Sequence, residues 1–178
     1  MPSNESKYLS DFYIIDKLEH INNISIREFG KMDFLTRCSY FCFYNNTTQK
    51  KYVKKFGKFF FNEDNFKFKV FLTYKHFVCV VKHNDTLEYF DSVANNDFYV
   101  DRLKKITKGK YNVIYNSKKL QTNNYSCGRY VILRCLMYFN SLDTFIDILD
   151  ENMKEYKLKD YDEAVDFILH KYYGISFD

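Results

Sequence analysis

The sequence contains no tryptophan, one proline and five glycines among its 178 residues. Because proline and glycine are so scarce, no segment has the composition of a flexible linker. No run of 18 or more apolar residues occurs, which excludes a predicted membrane span, and the first ten residues lack the apolar core of a signal peptide. We therefore predict one domain over residues 1–178, with no membrane partner and no secretion.

The cysteines are few and odd in number, and no two of them form a C-x-x-C pair. An odd count argues against the disulfide framework of a small secreted protein, and the spacing argues against a structural zinc site. We predict a reducing compartment, no metal and no cofactor. The five are Cys38, Cys42, Cys79, Cys127 and Cys135.

Apolar residues make up 46% of the chain and aromatic residues 20%, so core material is ample and disorder is excluded as the main description. A net charge of +4 is too small for a dedicated nucleic-acid binder. The abundance of Lys, Asn, Tyr, Phe and Ile follows AT-rich codons and points to an AT-rich genome.

Hydrophobic periodicity predicts an α+β fold in which a central sheet packs against helices. The strongest helix prediction is a buried one over residues 127–140, because Val131, Ile132, Cys135, Leu136 and Phe139 cover most of its circumference. The predicted elements are an N-terminal helix over 10–22, extended segments at 34–44 and 56–61, strands at 66–73, 76–81, 86–90 and 111–115, a helix over 97–106, and C-terminal helices over 142–153 and 161–172.

One cysteine has the surroundings of a nucleophile. Cys127 follows a polar loop and opens the predicted buried helix, where the partial positive charge of the helix N-terminus favours a thiolate. Gly128 leaves room beside the sulfur. A cysteine in this position is more often a small core residue, which is also how we interpret Cys79 and Cys135.

A base and its orienting group are placed nearby by a predicted hairpin. His76 begins one strand, Asp91 ends the next, and Asn84-Asp85 forms the turn between them. The two ends of such a hairpin lie side by side, so His76 and Asp91 can pair, although Asp91 could instead cap a turn. The Gln121 side chain and the main-chain N–H of Cys127 are candidate oxyanion donors.

Together, His76-Phe77, Tyr89-Phe90-Asp91-Ser92 and Gln121 to Cys127-Gly128 resemble the motifs of the adenain/SUMO-protease superfamily of cysteine peptidases, in the same order and with the same Gln-to-Cys spacing. The resemblance covers about two-fifths of the chain, from residue 69 to 140. Phe77 departs from it, since most members carry Trp there, and the spacing of 15 residues between His76 and Asp91 is slightly short.

The resemblance implies a papain-like, circularly rearranged fold whose catalytic core spans about residues 66–140. It implies a thiol protease with Cys127 as nucleophile, His76 as general base and acid, Asp91 orienting the imidazole and Gln121 in the oxyanion hole. It also implies a narrow cleft that favours Gly-Gly or Gly-X before the scissile bond.

In its small size and AT-rich composition, the chain is most similar to the capsid-maturation proteases of virophages, Maverick/Polinton elements and adenoviruses. We therefore expect a monomeric endopeptidase that cleaves capsid and other virion precursors in the host cytoplasm, viral factory or virion. The alternative is a SUMO- or ubiquitin-like-specific deconjugating protease of a parasite or intracellular bacterium. A catalytically silent binding module and an acetyltransferase on the same scaffold are less favoured.

Three further features carry weaker expectations. Lysine clusters at residues 50–58 and 104–110 are either a solvated surface or a weak DNA-binding stripe. Cys38 or Cys42 could form a disulfide with a peptide activator, as adenain does, if it is exposed. His20, His83 and His170 are predicted to be solvated.

Overall fold

The computed structural model describes residues 9–10, 13–14, 16–18, 41–43, 67–73, 76–95 and 97–177. Of the predicted extended segment at 34–44, residues 41–43 form a strand, and the rest lies outside this set. The predicted segment at 56–61 and residue 66 also lie outside it. The elements are β1 Phe41–Phe43, β2 Phe68–Thr73, β3 His76–His83, β4 Thr86–Phe90, α1 Asp97–Ile106, β5 Asn112–Tyr115, α2 Cys127–Leu136, α3 Leu142–Tyr156 and α4 Tyr161–Tyr173.

The strands form a mixed five-stranded sheet in the order β1-β2-β3-β4-β5. The two central connections are antiparallel, whereas β1 pairs with β2 and β4 with β5 in parallel. The predicted turn at Asn84-Asp85 joins β3 to β4, and Asn84 adopts a φ of 55°, which asparagine tolerates better than most residues. The sequence prediction of an α+β fold is confirmed.

The central strands are buried on both faces because helices cover both sides of the sheet. Phe77, Cys79 and Val81 of β3 belong to a large cluster that includes residues of α2, α3 and α4. Val78 and Val80, which alternate with them, belong to a second cluster with Val100 and Leu103 of α1 and with other strand residues. Strand β3 therefore lies at the centre of the molecule, and its first residue is His76.

The N-terminal helix is confirmed where it is described. Residues 13, 14 and 16–18 are helical, and the Ser10 hydroxyl accepts a hydrogen bond from the main-chain N–H of Tyr13 at 3.2 Å, as an N-cap does. Ile14 and Leu18 are fully buried in the large cluster. The predicted end of this helix at residue 22 lies outside the described residues.

The buried helix is shorter than predicted. Helix α2 ends at Leu136 rather than at residue 140, and Phe139, predicted to lie on its apolar surface, is 70% exposed. All ten residues of α2 are buried, including Arg134. The sequence pattern missed the end because residues 137–139 are in a turn that Arg134 closes: its Nη1 and Nη2 donate to the main-chain oxygens of Met137 and Asn140.

A buried ion pair ties α2 to the sheet. The Arg134 guanidinium makes a two-pronged contact with the Glu88 carboxylate of β4, with both donor–acceptor distances at 2.7 Å, and neither side chain is exposed. His83, predicted to be solvated, adds a hydrogen bond to Glu88 at 3.0 Å. Burial raises the pKa of Glu88, but the hydrogen bonds from Arg134 and His83 outweigh it and lower the pKa below its usual value.

Helices α3 and α4 carry conventional N-caps. Ser141 accepts from the N–H of Thr144 at 3.1 Å, and Asp160 accepts from the N–H of Glu163 at 2.9 Å. Both helices begin at the predicted residue and run slightly past the predicted end, to Tyr156 and Tyr173. Within the described ranges, no helix is both long and apolar enough to cross a membrane.

Candidate active site

Three secondary-structure ends meet at the site. His76 is the first residue of β3, Asp91 follows the last residue of β4, and Cys127 is the first residue of α2. The last residues paired between β3 and β4 are Cys79 and Phe90, so His76 and Asp91 both lie just beyond the paired part of the hairpin. Helix α2 packs against β3, which brings Cys127 to the same end of that strand.

The predicted contact between His76 and Asp91 is present. The imidazole Nε2 lies 2.6 Å from the Asp91 carboxylate, which is 2% exposed, whereas the imidazole is 21% exposed. The same carboxylate oxygen accepts the main-chain N–H of Val93 at 3.0 Å. Asp91 therefore both caps a turn and binds the imidazole, so the two interpretations of this residue are compatible.

Asn116, which belongs to no motif in the sequence, fixes the main chain of Asp91. Its side-chain oxygen accepts the N–H of Asp91 at 3.1 Å, and its amide nitrogen donates to the carbonyl of Asp91 at 2.6 Å. Asn116 is buried directly after β5, and Tyr115, the last residue of β5, pairs with Tyr89 in the neighbouring strand. The parallel pairing of β4 and β5 therefore places this amide beside Asp91.

The imidazole of His76 also contacts the thiol of Cys127. Burial lowers the pKa of His76, but hydrogen bonds with Asp91 and Cys127 and the charges of both partners outweigh burial and raise the pKa to about 9. Cys127 is 2% exposed and lies at the N-terminus of α2. The three side chains form a chain from carboxylate to imidazole to sulfur.

The raised pKa of His76 gives a testable dependence of stability on pH. Below about pH 6.5 the imidazole is protonated in both folded and unfolded chains; between 6.5 and 9 only the folded protein holds the proton. The contribution of His76 is therefore complete below pH 6.5 and is lost as the pH rises to 9. We expect urea unfolding of the wild type to show this loss, and the His76→Gln variant to lack it.

The proton can also be followed directly. An NMR titration should show one imidazole resonance, absent from the His76→Gln spectrum, with a midpoint near pH 9. A midpoint near 6.5 for that resonance would contradict the contacts described for His76.

Gln121, the candidate oxyanion donor, has a fixed side chain. Its Oε1 accepts the hydroxyl of Ser92 at 2.6 Å, and its Nε2 donates to the carbonyl of Asn123 at 2.8 Å. Both residues of the Ser92–Gln121 pair are buried. Because a primary amide has two N–H groups, one remains for another acceptor. The hydrogen bond from Ser92 holds the Gln121 side chain in place. The residue after Asp91 therefore has a structural role that the motif spacing did not reveal.

The loop between Gln121 and Cys127 is organised by Asn123. Its side-chain oxygen accepts the N–H groups of Tyr125 and Ser126 at 3.0 and 2.9 Å, and its amide donates to the Ser126 hydroxyl at 2.8 Å. These contacts form a compact turn directly before α2. The polar residues predicted to be a plain loop therefore hold a defined conformation.

Gly128 lies where α2 approaches the N-terminal segment. A Cβ atom at this position would lie 3.2 Å from Leu9 and 3.5 Å from Ile14. Its missing side chain therefore makes room for the N-terminal helix. Phe77, which departs from the family motif, is 6% exposed and lies in the same cluster as Cys127.

The remaining candidates divide into three groups. Cys79 and Cys135 are fully buried, which confirms them as core residues. Cys38, His20, the lysines at 50–58 and the side chain of Cys42 lie outside the described residues. Lys104, Lys105, Lys108 and Lys110 are exposed, and their affinity for DNA stays a prediction. In the described part of the chain, no three His, Cys, Asp or Glu side chains are grouped to hold a metal.

Comparisons with known proteins find similarity to solved structures but not to known sequences. No protein-family profile and no curated sequence matches the chain. The structure of the SUMO protease Ulp1 with its catalytic cysteine oxidized to a sulfinic acid is similar with a TM-score of 0.33 and 17% sequence identity. The match covers 72% of this chain and 83% of the other. At this level of similarity the match carries no argument about activity, which must come from the site itself.

Proposed function

We propose that the protein is a cysteine endopeptidase. The observation that carries this proposal is the imidazole of His76, which contacts the Asp91 carboxylate at 2.6 Å and the Cys127 thiol at the start of a helix. A base held between an acid and a nucleophile is the arrangement that acyl transfer requires. The order His76, Asp91, Gln121, Cys127 and the family motifs around these residues support the same proposal.

In the first step, the thiolate of Cys127 attacks the carbonyl carbon of the scissile peptide bond. A protonated His76 beside the sulfur and the N-terminus of α2 both stabilise the thiolate form. The oxygen of the tetrahedral intermediate accepts hydrogen bonds from the main-chain N–H of Cys127 and the remaining N–H of Gln121. His76 then donates its proton to the leaving amine as the carbon–nitrogen bond breaks.

In the second step, water replaces the amine. His76, now neutral, takes one proton from the water as it attacks the thioester. The carbon–sulfur bond then breaks, which restores the thiolate of Cys127 and releases a carboxylic acid that loses its remaining proton to solvent. Asp91 holds the imidazole in one orientation through both steps. Asn116 fixes the main chain of Asp91. Because Asp91 is held in place, its hydrogen bond to His76 opposes rotation of the imidazole.

For the substrate, we propose capsid and other virion precursor proteins cut after small residues such as Gly-Gly or Gly-X. The AT-rich composition and the resemblance to the motifs of the adenain/SUMO-protease superfamily support this choice. The papain-like, circularly rearranged architecture that the resemblance implies belongs to the same proposal. A deconjugating protease for SUMO- or ubiquitin-like tails would use the same four residues.

The substrate is tested by incubating the protein with two reporter sets and identifying the products by mass spectrometry. One set carries virion-precursor sequences with Gly-Gly and Gly-X sites, and the other carries SUMO or ubiquitin fused to a reporter. We expect discrete cuts in the first set only. Cleavage of the second set alone would replace the maturation role with deconjugation, and cleavage of neither would overturn the proposed protease.

A further inference from the structure

The loop that carries the oxyanion donors is held from the far end of the chain, by Asp162 in the first turn of α4. This carboxylate is 7% exposed and belongs to neither the triad nor the motifs. Its Oδ2 accepts the main-chain N–H groups of Thr122 and Asn123 at 3.1 and 2.8 Å. Thr122 follows Gln121 directly, so the carboxylate holds the main chain next to that side chain.

The same carboxylate is joined to the nucleophile's helix. The Tyr130 hydroxyl, one turn after Cys127 in α2, donates to Oδ1 of Asp162 at 2.7 Å. Burial raises the pKa of Tyr130 well above its usual value, as does the hydrogen bond to Asp162, so the hydroxyl remains a donor. One buried side chain thus connects the loop after Gln121 with the helix that begins at Cys127.

The two oxyanion donors lie at opposite ends of this connection. Gln121 supplies a side-chain N–H and Cys127 a main-chain N–H, and five residues of chain lie between them. A shift of about 1 Å in a reacting group can reduce a rate about 100-fold. Asn123 organises the loop internally, but the hydrogen bonds to Asp162 are what join its beginning to α4 and α2.

We propose that Asp162 is a positioning residue that sets the geometry of the oxyanion hole, an inference that rests on the proposed protease function. Its loss should lower kcat for peptide-bond cleavage without weakening substrate binding. It should leave the thiol of Cys127 reactive, because alkylation of a thiolate develops no oxyanion.

The test compares Asp162→Ala with wild type and with Asp160→Ala. Asp160 caps the same helix through Glu163, so its loss lowers stability without touching the loop. We expect Asp162→Ala to lower kcat about 100-fold with KM within about 2-fold. Alkylation of Cys127 by iodoacetamide should stay within about 2-fold of wild type. Asp160→Ala should retain both activities.

A conservative variant separates positioning from general damage. In Asp162→Asn the amide oxygen can still accept from the loop and the amide nitrogen can donate to Tyr130, so we expect kcat to recover to within about 10-fold of wild type. Equal losses of kcat and alkylation in Asp162→Ala would overturn the proposal, because they would indicate a misfolded site. So would an unchanged kcat.

Amide exchange keeps this test separate from the proposed function. The N–H groups of Thr122 and Asn123 should exchange at least about 10-fold faster in Asp162→Ala, whether or not the protein cleaves any substrate. If the wild type is inactive but the exchange rates change as expected, the proposed protease function is wrong, whereas the role of Asp162 in holding the loop is retained. If the wild type is active and the exchange rates are unchanged, the proposed role of Asp162 is wrong and the protease function is retained.

Discussion

The Cys127→Ala variant should lose peptide-bond hydrolysis by at least about 10⁴-fold while keeping its fold. Removing the nucleophile of a triad eliminates the covalent route, and the residual rate reflects only binding and the oxyanion hole. Alanine fits the site without strain because Cys127 is a small buried residue at the start of a helix. The measurement is the single-turnover cleavage rate of the reporter identified by mass spectrometry.

A matched control is available on the same helix. Cys135 is also a buried thiol of α2, but it packs in the core against Cys79 rather than beside His76. Cys135→Ala should lower stability by about 1 kcal/mol and leave hydrolysis within about 2-fold of wild type. If Cys127→Ala still turned over substrate at more than a hundredth of the wild-type rate, Cys127 would not be the nucleophile.

Breaking the buried ion pair should cause the largest loss of stability of any single substitution considered. Arg134→Met leaves the Glu88 carboxylate with no exposed surface and, among the described residues, with His83 as its remaining hydrogen-bonded side chain. It also removes the donors to Met137 and Asn140. Removing one member of a buried pair typically costs about 3–5 kcal/mol. The free energy of unfolding of a domain of this size is about 5–15 kcal/mol. The variant should therefore be close to unfolding at 37 °C.

Urea unfolding at 15 °C measures this loss, and a double variant identifies its origin. In Arg134→Met with Glu88→Leu, neither charge of this pair remains buried, so most of the stability should return; the remaining deficit comes from the two uncapped carbonyls. A single-variant loss below about 1 kcal/mol would mean that water reaches Glu88 in solution. Equal losses in the single and double variants would assign the cost to the turn after α2 instead.

The elements that the sequence predicted well are those whose signal is local. The β3–β4 hairpin followed from alternating residues around Asn84-Asp85, and its ends then placed His76 beside Asp91. The start of α2 at Cys127 followed from a polar loop meeting an apolar helix pattern. Each inference needed only neighbouring residues and the geometry of one motif.

The features that the sequence did not predict depend on contacts between distant segments. The end of α2 depends on Arg134, whose burial is possible only because Glu88 of another element pairs with it. Asn116 and Asp162 are ordinary polar residues in the sequence, and 25 residues separate Asn116 from Asp91. The parallel pairing of β4 with β5 places Asn116 beside the main chain of Asp91. The packing of α4 near the loop places Asp162 beside the main chain of Asn123.

The anchoring of the loop by α4 has a consequence for protein synthesis. The ribosome adds Asp162 35 residues after Cys127, so a growing chain already contains the carboxylate, imidazole and thiol before the residue that fixes the oxyanion loop exists. A chain that ends before α4 therefore lacks the carboxylate that accepts hydrogen bonds from Thr122 and Asn123. If Asp162 positions the oxyanion donors as proposed, the full cleavage rate is reached only after α4 has been made and has docked against the loop.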